Sequence, residues 1–323
     1  MMNDFKTPDF LKRYSKNPIL SPSDSPFNSK LVSNPGVVKW GKKYIMTPSY
    51  DAYDSVTNKW SKDLGVAYSE DGINFEYTKR KLFTDWLKDG IRGVYDSRLI
   101  VLEDKIYICA GLDTKNGTRV RIASTKDMEN WQVHHTTTPD NRNIVLFPEK
   151  INGLYVMLER PFPMYTCGEH FDIWISYSPD LVYWGRSKLL LDTAQVPFCN
   201  LKLGPGAQPL KTEAGWLIIF HATDIDPNRK PAGENKGRVK RYMAGVMLLD
   251  LKDPSKILGI AKTPLIVPEA PYEIDGWCDN VVFPTGVILE ENKEVKIYYG
   301  AADIVICLAT AKLDDLIDFA LSK

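Results

Sequence analysis

Apolar and polar positions in this chain alternate over short distances far more often than apolar residues recur every three or four. Runs such as LGVAY, RVRIA and DIWISY are rich in β-branched and aromatic residues and end in polar clusters, the pattern of short strands. Each is followed by a related segment: SEDGINF (69–75), TKDMENW (125–131) and SPDLVYW (178–184). All three read Ser or Thr, any residue, Asp, three residues, then an aromatic, with the aspartates at 71, 127 and 180. The order predicts a strand, a polar turn in which Asp accepts nearby backbone N–H groups, and an aromatic that opens the next strand.

A second series interleaves with the first. KKYIMTPS, KIYICAGL, GLYVMLER, GWLIIFHA and KIYYGAAD are apolar strands anchored at Tyr44, Tyr107, Tyr155, Trp216 and Tyr298. Just upstream of them run NPGVVKW, DSRLIVL, VLFPEK, AQPLK and VVFPTG. Repeats of about 60 residues, each holding three or four antiparallel strands, predict an all-β, five-bladed β-propeller that occupies residues 1–323 as a single domain. Helix-period stretches are scarce. The clearest is LDDLIDFALSK, where Leu313, Leu316, Ile317 and Ala320 share one face and predict a short C-terminal helix. The polar tract TDIDPNRKPAGENKGRVKR (223–241) reads as a long loop between strands.

Composition narrows the function classes. Lys plus Arg and Asp plus Glu are each 41 in 323 residues, so no net charge draws the chain to nucleic acid or to an anionic membrane. Cys109, Cys167, Cys199, Cys278 and Cys307 are scattered and lack CxxC spacing, against both a disulfide framework and a zinc site; no metal is expected. The opening MMNDFKTPDFLKRY holds no apolar stretch of signal-peptide length, and no 18-residue apolar run follows, so a cytoplasmic location is expected. The abundance of Trp, Tyr and Phe is a hint of sugar binding.

In a propeller, sequence-distant strands converge at one axial mouth. Five residues beyond the anchoring aromatics lie Ser49, Leu112, Arg160, His221 and Asp303; the upstream strands and their approaches add Asn34, Asp96, Arg98, Arg142, Asn143 and Lys211. Each has an ordinary explanation. Asp96 and Arg98 in GVYDSRLI (93–100) could be a surface ion pair, His221 a core histidine, Arg160 the partner of Glu159 or Glu149, and Lys211 a turn residue. Their recurrence at equivalent places favours function. Arginines, a lysine and a histidine brought together make an anion site suited to phosphate or sulfate. An Asp facing it is a candidate proton donor. An inverting hydrolase would need a second carboxylate to activate water, whereas a bound phosphate nucleophile needs only one carboxylic acid.

DNRNIVLFPEKINGLYVMLERP, GWLIIFHATD, YMAGVMLLDLKDPSKIL, NVVFPTGVIL and VKIYYGAADIVICLAT, with RYSKNPIL and NPGVVKWGKKY near the start, resemble glycoside hydrolase family 130 over nearly the whole chain. This is the family of β-mannoside phosphorylases, with a minority of β-mannosidases, and the likeness is greatest to the branch that includes mannosylglucose phosphorylase. The resemblance implies a five-bladed β-propeller. It implies inverting phosphorolysis of a β-mannoside (mannosylglucose, mannosyl-N-acetylglucosamine or a β-mannooligosaccharide) to α-mannose 1-phosphate and an acceptor sugar. Asp96 matches the catalytic acid, its proton travelling through a mannose hydroxyl. Arg142, Asn143, Arg160, Lys211, His221 and, more weakly, Tyr242 match phosphate ligands. Asn34 and Asp303 match positions that hold the mannosyl ring, and Tyr95 and Arg98 join the substrate-binding set, with Arg98 there to orient Asp96 or support its strand. Ser49 stands where the family usually has a sugar-gripping arginine. Phosphate enters as co-substrate, with no other cofactor; the partners are a small oligosaccharide and phosphate, and family members are often homo-oligomeric. A β-mannosidase on the same scaffold and a non-catalytic sugar-binding propeller are the alternatives. The retained basic residues speak against the first and Asp96 against the second.

Overall fold

The computed structural model describes residues 5–56, 58–88, 90–162, 171–229 and 239–322. Cys167 and the centre of the polar tract, residues 230–238, lie outside the described residues. A two-residue strand, β1 (Lys12–Arg13), precedes a meander of β2 (Ser29–Trp40), β3 (Lys43–Asp54), β4 (Lys59–Ser69) and β5 (Glu76–Lys81). The second meander is β6 (Ile91–Leu102), β7 (Lys105–Thr114), β8 (Gly117–Thr125) and β9 (Gln132–Thr136). The third is β10 (Asn141–Leu146), β11 (Tyr155–Pro161), β12 (Ile173–Ser178) and β13 (Gly185–Leu191). In the fourth, β14 (Lys202–Pro205) and β15 (Leu210–Lys211) both pair with β16 (Trp216–Ile225), followed by β17 (Lys240–Leu249) and β18 (Ile257–Ile260). A short helix, α1 (Pro271–Ile274), leads to β19 (Val282–Leu289), β20 (Glu294–Ala301), β21 (Val305–Lys312) and the terminal helix α2 (Leu313–Leu321).

The protein is thus nearly all β, with five antiparallel meanders among the described residues. The first two are joined by one parallel bridge, Lys62 to Gly93. The last is completed by β1, which pairs with β21. The expected terminal helix is present, with Leu313, Leu316 and Ala320 buried and Ile317 packed against the same core. No helix of the described residues is long and apolar enough to cross a membrane.

Two of the expected upstream strands fall elsewhere. The third ends at Leu146, because Pro148 offers no N–H to a ladder and the chain turns. The fourth is broken between Pro205 and Leu210 and keeps only Leu210–Lys211 of AQPLK. The five anchoring aromatics are all buried; Tyr44, Tyr107, Tyr155 and Trp216 sit at or near the start of β3, β7, β11 and β16, whereas Tyr298 is the fifth residue of β20. The three Ser/Thr-x-Asp turns form as the pattern requires: Asp127 Oδ1 accepts the Glu129 and Asn130 N–H groups at 2.7 and 2.8 Å, and Thr125 Oγ1 donates to it. Asp71 and Asp180 do the same. A fourth such turn lacks the hydroxyl residue: Asp250 Oδ1 accepts the Lys252 and Asp253 N–H groups.

Both faces of each sheet are apolar, because each sheet packs against two others. Along β16, Leu217 and Ile219 enter a core shared with the fifth sheet (Val295, Ile297), while Trp216, Ile218 and Phe220 enter one shared with the third (Val156, Leu158). Further cores join first to second (Leu64, Ile108), second to third (Tyr107, Leu146) and fifth to first (Met46, Tyr298).

One local irregularity recurs where the first strands of the meanders come together. The register shifts between Ser33 and Gly36 in β2, Tyr95 and Arg98 in β6, Arg142 and Val145 in β10, and Pro284 and Gly286 in β19. In the first three the bulge holds a left-handed residue: Asn34 (φ 47°), Asp96 (φ 49°) and Asn143 (φ 57°). Asn and Asp tolerate that conformation best among non-glycine residues, and bulges re-aim side chains.

Candidate active site

The re-aimed side chains meet at a cavity of about 450 Å³. Asp96 projects into it. Its Oδ1 accepts a hydrogen bond from Asn34 Nδ2 at 2.8 Å, and its backbone N–H donates to Ser49 Oγ at 2.9 Å. Beneath, Ser97 Oγ lies 2.7 Å from Thr47 Oγ1 and accepts the Gly36 N–H, fastening the first two sheets together under the bulge. Gly300 is essential to this arrangement, since a Cβ there would collide with the Asn34 side-chain oxygen and backbone nitrogen.

Arg98 does not touch the cavity and does not pair with the Asp96 carboxylate. It is fully buried, and its Nε donates to the Gly206 carbonyl at 2.9 Å while an NH group donates to the Asp96 carbonyl. Burial pushes it down to about 10, so it remains a cation at neutral pH. It is a cross-brace between β6 and the fourth sheet. This corrects both the surface-pair explanation and its place in the substrate-binding set; its expected supporting role fits.

One wall of the cavity is basic. Arg142 and Arg160 are register neighbours on β10 and β11. Arg142 lies over the Tyr95 ring at 5.1 Å and reaches Asp96 Oδ2 at 3.6 Å. Arg160 is 3 % exposed, lies near the rings of Phe162 and Phe171, and has no carboxylate within 4 Å among the described residues. Burial and the neighbouring Arg142 push it down to about 9, still charged at neutral pH. Neither Glu159 nor Glu149 neutralises it: Asn141 and Ser176 bond Glu159, and Lys211 bonds Glu149. A buried guanidinium with no carboxylate beside it among the described residues has the chemistry to receive an anion. Lys202, whose Nζ lies 4.8 Å from the Tyr242 ring centre, Lys240 and Asn143 complete this wall.

His221 is brought close but not to the surface of the cavity. It is fully buried, with Nε2 3.4 Å from Asn143 Nδ2 and from Arg160 NH1. Burial first, then Arg160 and the other cations, hold it well below the usual histidine range, so the ring is neutral and its Nε2 accepts. Its place is behind the basic wall, made possible by Gly204, where any Cβ would strike the ring. Lys211 departs altogether. It is exposed on β15, its Nζ 2.6 Å from Glu149 Oε1, and takes no part in the cavity.

The lining from the first and fifth sheets is acidic and aromatic. Asp303, Ser49 and Asn34 belong to it, joined by Asp51, Asp279 and Trp277, which sequence reasoning missed, while Tyr95 on β6 lies against Arg142 at the edge of the basic wall. Asp51 was within reach, since it follows Ser49 by two on β3 and a strand returns to the same face every second residue. Burial raises it to about 6 despite Lys62 at 3.5 Å. Tyr242 is likewise pushed up to about 12 by burial and then by Asp303, so it keeps its proton. Lys202 and Trp277 carried no signal, because neither stands in a repeated segment.

Comparison with known proteins accords with this geometry. Residues 5–321 match the family described as beta-1,4-mannooligosaccharide phosphorylase, glycoside hydrolase family 130. The chain is 32% identical over 315 residues to a 1,2-beta-oligomannan phosphorylase of Thermoanaerobacter sp. (strain X514), covering 95% of this chain and 98% of the relative. It is 28% identical over 306 residues to a 4-O-beta-D-mannosyl-D-glucose phosphorylase of Bacteroides fragilis, covering 89% and 74%. The structure of a beta-1,2-mannobiose phosphorylase from Listeria innocua, in complex with beta-1,2-mannobiose, superposes with a TM-score of 0.82 at 25% identity, covering 97% of this chain and 99% of that one. With the family matched from end to end and its sheets superposable on a solved member, the chain belongs to glycoside hydrolase family 130.

Proposed function

We propose that this protein is an inverting β-mannoside phosphorylase, its five meanders being the blades of a five-bladed propeller that forms one catalytic domain. The observation that carries the reading is Arg160, a buried cation with no carboxylate within 4 Å among the described residues, beside Arg142 on the wall next to Asp96. Phosphate held by Arg142, Arg160, Asn143 and Lys202 lies within reach of a sugar seated at the axis on Asn34 and Asp303. A phosphate oxygen attacks the anomeric carbon, the glycosidic C–O bond breaks, and the Asp96 carboxyl supplies the proton to the departing oxygen. Attack from the face opposite the leaving group inverts the β-linkage, giving α-mannose 1-phosphate and the acceptor sugar. Positioning contributes to the rate, since nucleophile and electrophile are held in line. The cations orient the phosphate, His221 holds Arg160 and Asn143 in place from behind, and Lys202 takes the role that the family resemblance implied for Lys211.

For the acceptor we favour β-1,2-linked mannose, because relatives named for β-1,2-mannosides are 32% and 34% identical to the chain, against 29% for one named for β-1,4-mannooligosaccharides. The test is to incubate the protein with β-1,2- and β-1,4-mannosides and mannosylglucose, with and without inorganic phosphate, and to assay mannose 1-phosphate and free mannose. Mannose 1-phosphate formed only with phosphate is the expected result. Free mannose at equal rates in both conditions overturns it in favour of hydrolysis. Asp96→Asn should abolish turnover while calorimetry still registers sugar binding; near-normal turnover in that variant removes Asp96 from the role of acid.

A further inference from the structure

A strip of aromatic rings leads out of the cavity. Tyr53 on β3 and Trp60 on β4 are cross-strand partners with ring centres 5.2 Å apart, and Trp60 lies 5.7 Å from Trp277 of the segment before β19. Trp277 and Leu31 line the cavity on one side and, on the other, an adjoining depression of about 480 Å³ bounded by Tyr53, Trp60, Lys30 and Ile304. Trp60 is 46% exposed and Trp277 39%, and neither belongs to any of the inter-sheet cores. Indoles normally bury most of their surface, so two open ones in contact, continuous with a polar cavity, form a face that packing does not explain.

In-line displacement decides what passes over that face. The incoming oxygen and the departing oxygen must lie on opposite sides of the anomeric carbon. With phosphate on the wall of the third and fourth sheets, the leaving sugar must point to the opposite wall, toward Leu31, Asp51 and Trp277. Beyond them the route out is the aromatic strip. The apolar C–H face of a pyranose suits a flat indole, and its hydroxyls remain in water at the strip's open edge.

Resting on the phosphorolysis reading above, we propose that Trp277 and Trp60, with Tyr53 beside them, form a stacking platform for the sugar rings beyond the first acceptor unit. The protein accordingly acts on mannosides of three or more units in preference to disaccharides. The platform meets the distal part of the acceptor arm, away from the reacting atoms, so its loss acts through binding.

Phosphorolysis of a β-mannobiose and of the corresponding tetraose should be compared at fixed phosphate in wild type, Trp60→Ala and Trp60→Phe. Trp60→Ala should lower kcat/KM for the tetraose about tenfold, chiefly through KM, and leave the biose within about twofold, with Trp60→Phe recovering most of the loss. Equal effects on both lengths, or none on either, overturn the platform. Calorimetric binding of the two lengths to the same variants reads the platform without turnover. If the wild type phosphorolyses no mannoside, the activity reading fails while a length-dependent loss of binding in Trp60→Ala still supports the platform. Sedimentation of wild type and Trp60→Ala covers the remaining occupant: a dimer that the substitution dissociates, with no length dependence, assigns the strip to a second copy of the chain and overturns the proposal.

Discussion

Arg142 and Arg160 are like charges on adjacent strands, a pairing that raises the free energy of the native state and is offset only in part by Asp96 Oδ2, 3.6 Å from Arg142. A phosphate between them relieves it, which ties affinity for phosphate to these side chains. Arg160→Ala and Lys202→Ala should each raise the KM for phosphate at least about tenfold with the KM for the mannoside changed less than about twofold, whereas Lys211→Ala should change neither. Initial rates at varied phosphate decide this, and a large effect at Lys211 would return it to the site. Asp51 adds a pH dependence. Its carboxyl is raised to about 6 by burial, so ionising it in the fold costs free energy. That contribution is absent below pH about 4, grows as pH rises through 6, and persists at neutral pH. Asp51→Asn should therefore raise stability at pH 7.5 by on the order of 2 kcal/mol and leave it unchanged near pH 4, as thermal melts at the two pH values will show. Of the residues picked out in the sequence, Asn34, Ser49, Tyr95, Asp96, Arg142, Asn143, Arg160, Tyr242 and Asp303 line the cavity. Arg98 does not, because the register shift between Tyr95 and Arg98 breaks the two-residue alternation, and a bulge leaves no mark in a hydrophobic pattern. Lys211 does not because it lies beyond the break after β14, exposed on β15, where it pairs with Glu149.

At the scale of the element, strands that carry chemistry depend on neighbours that carry none. Gly300 on β20 presents bare backbone to Asn34, and Asn34 holds the Asp96 carboxyl. Gly300→Ala must displace Asn34, a small overpacking that costs about 1–3 kcal/mol. The expected outcome is a fall in kcat of about tenfold or more with a melting temperature only a few degrees lower. Unchanged kcat would mean that Asn34 can move without disturbing Asp96. The elements themselves were legible wherever local chemistry specified them. Ser or Thr two residues before Asp marks three turns, and the fourth, at Asp250, escaped notice because the hydroxyl residue is missing while the backbone bonds are the same. The apolar face of α2 was equally plain from its spacing. The split into β14 and β15 was missed although Gly206 and Pro209, which weaken or interrupt a ladder, stand in the break.

For the molecule as a whole, the count of five units could be read from the anchoring aromatics, but the part played by the N-terminus could not. The pairing of β1 with β21 rests on two residues, a match too short for any sequence pattern to announce. What secures it is Arg13, whose Nε donates to Glu273 Oε1 at 2.8 Å, while the buried Tyr299 hydroxyl donates to the same oxygen. Glu273 is fully buried, so Arg13→Ala would strand its charge and should cost about 3 kcal/mol, measurable by chemical denaturation. A loss below about 1 kcal/mol would mean that water reaches Glu273 once Arg13 is gone. The bulges at the cavity have a consequence of another kind. A left-handed backbone position admits Asn, Asp and Gly with ease and most other residues only under strain. Chance substitution at positions 34, 96 and 143 is thereby biased toward Asn, Asp and Gly. Backbone geometry alone thus favours an amide or an acid at three points that line the cavity.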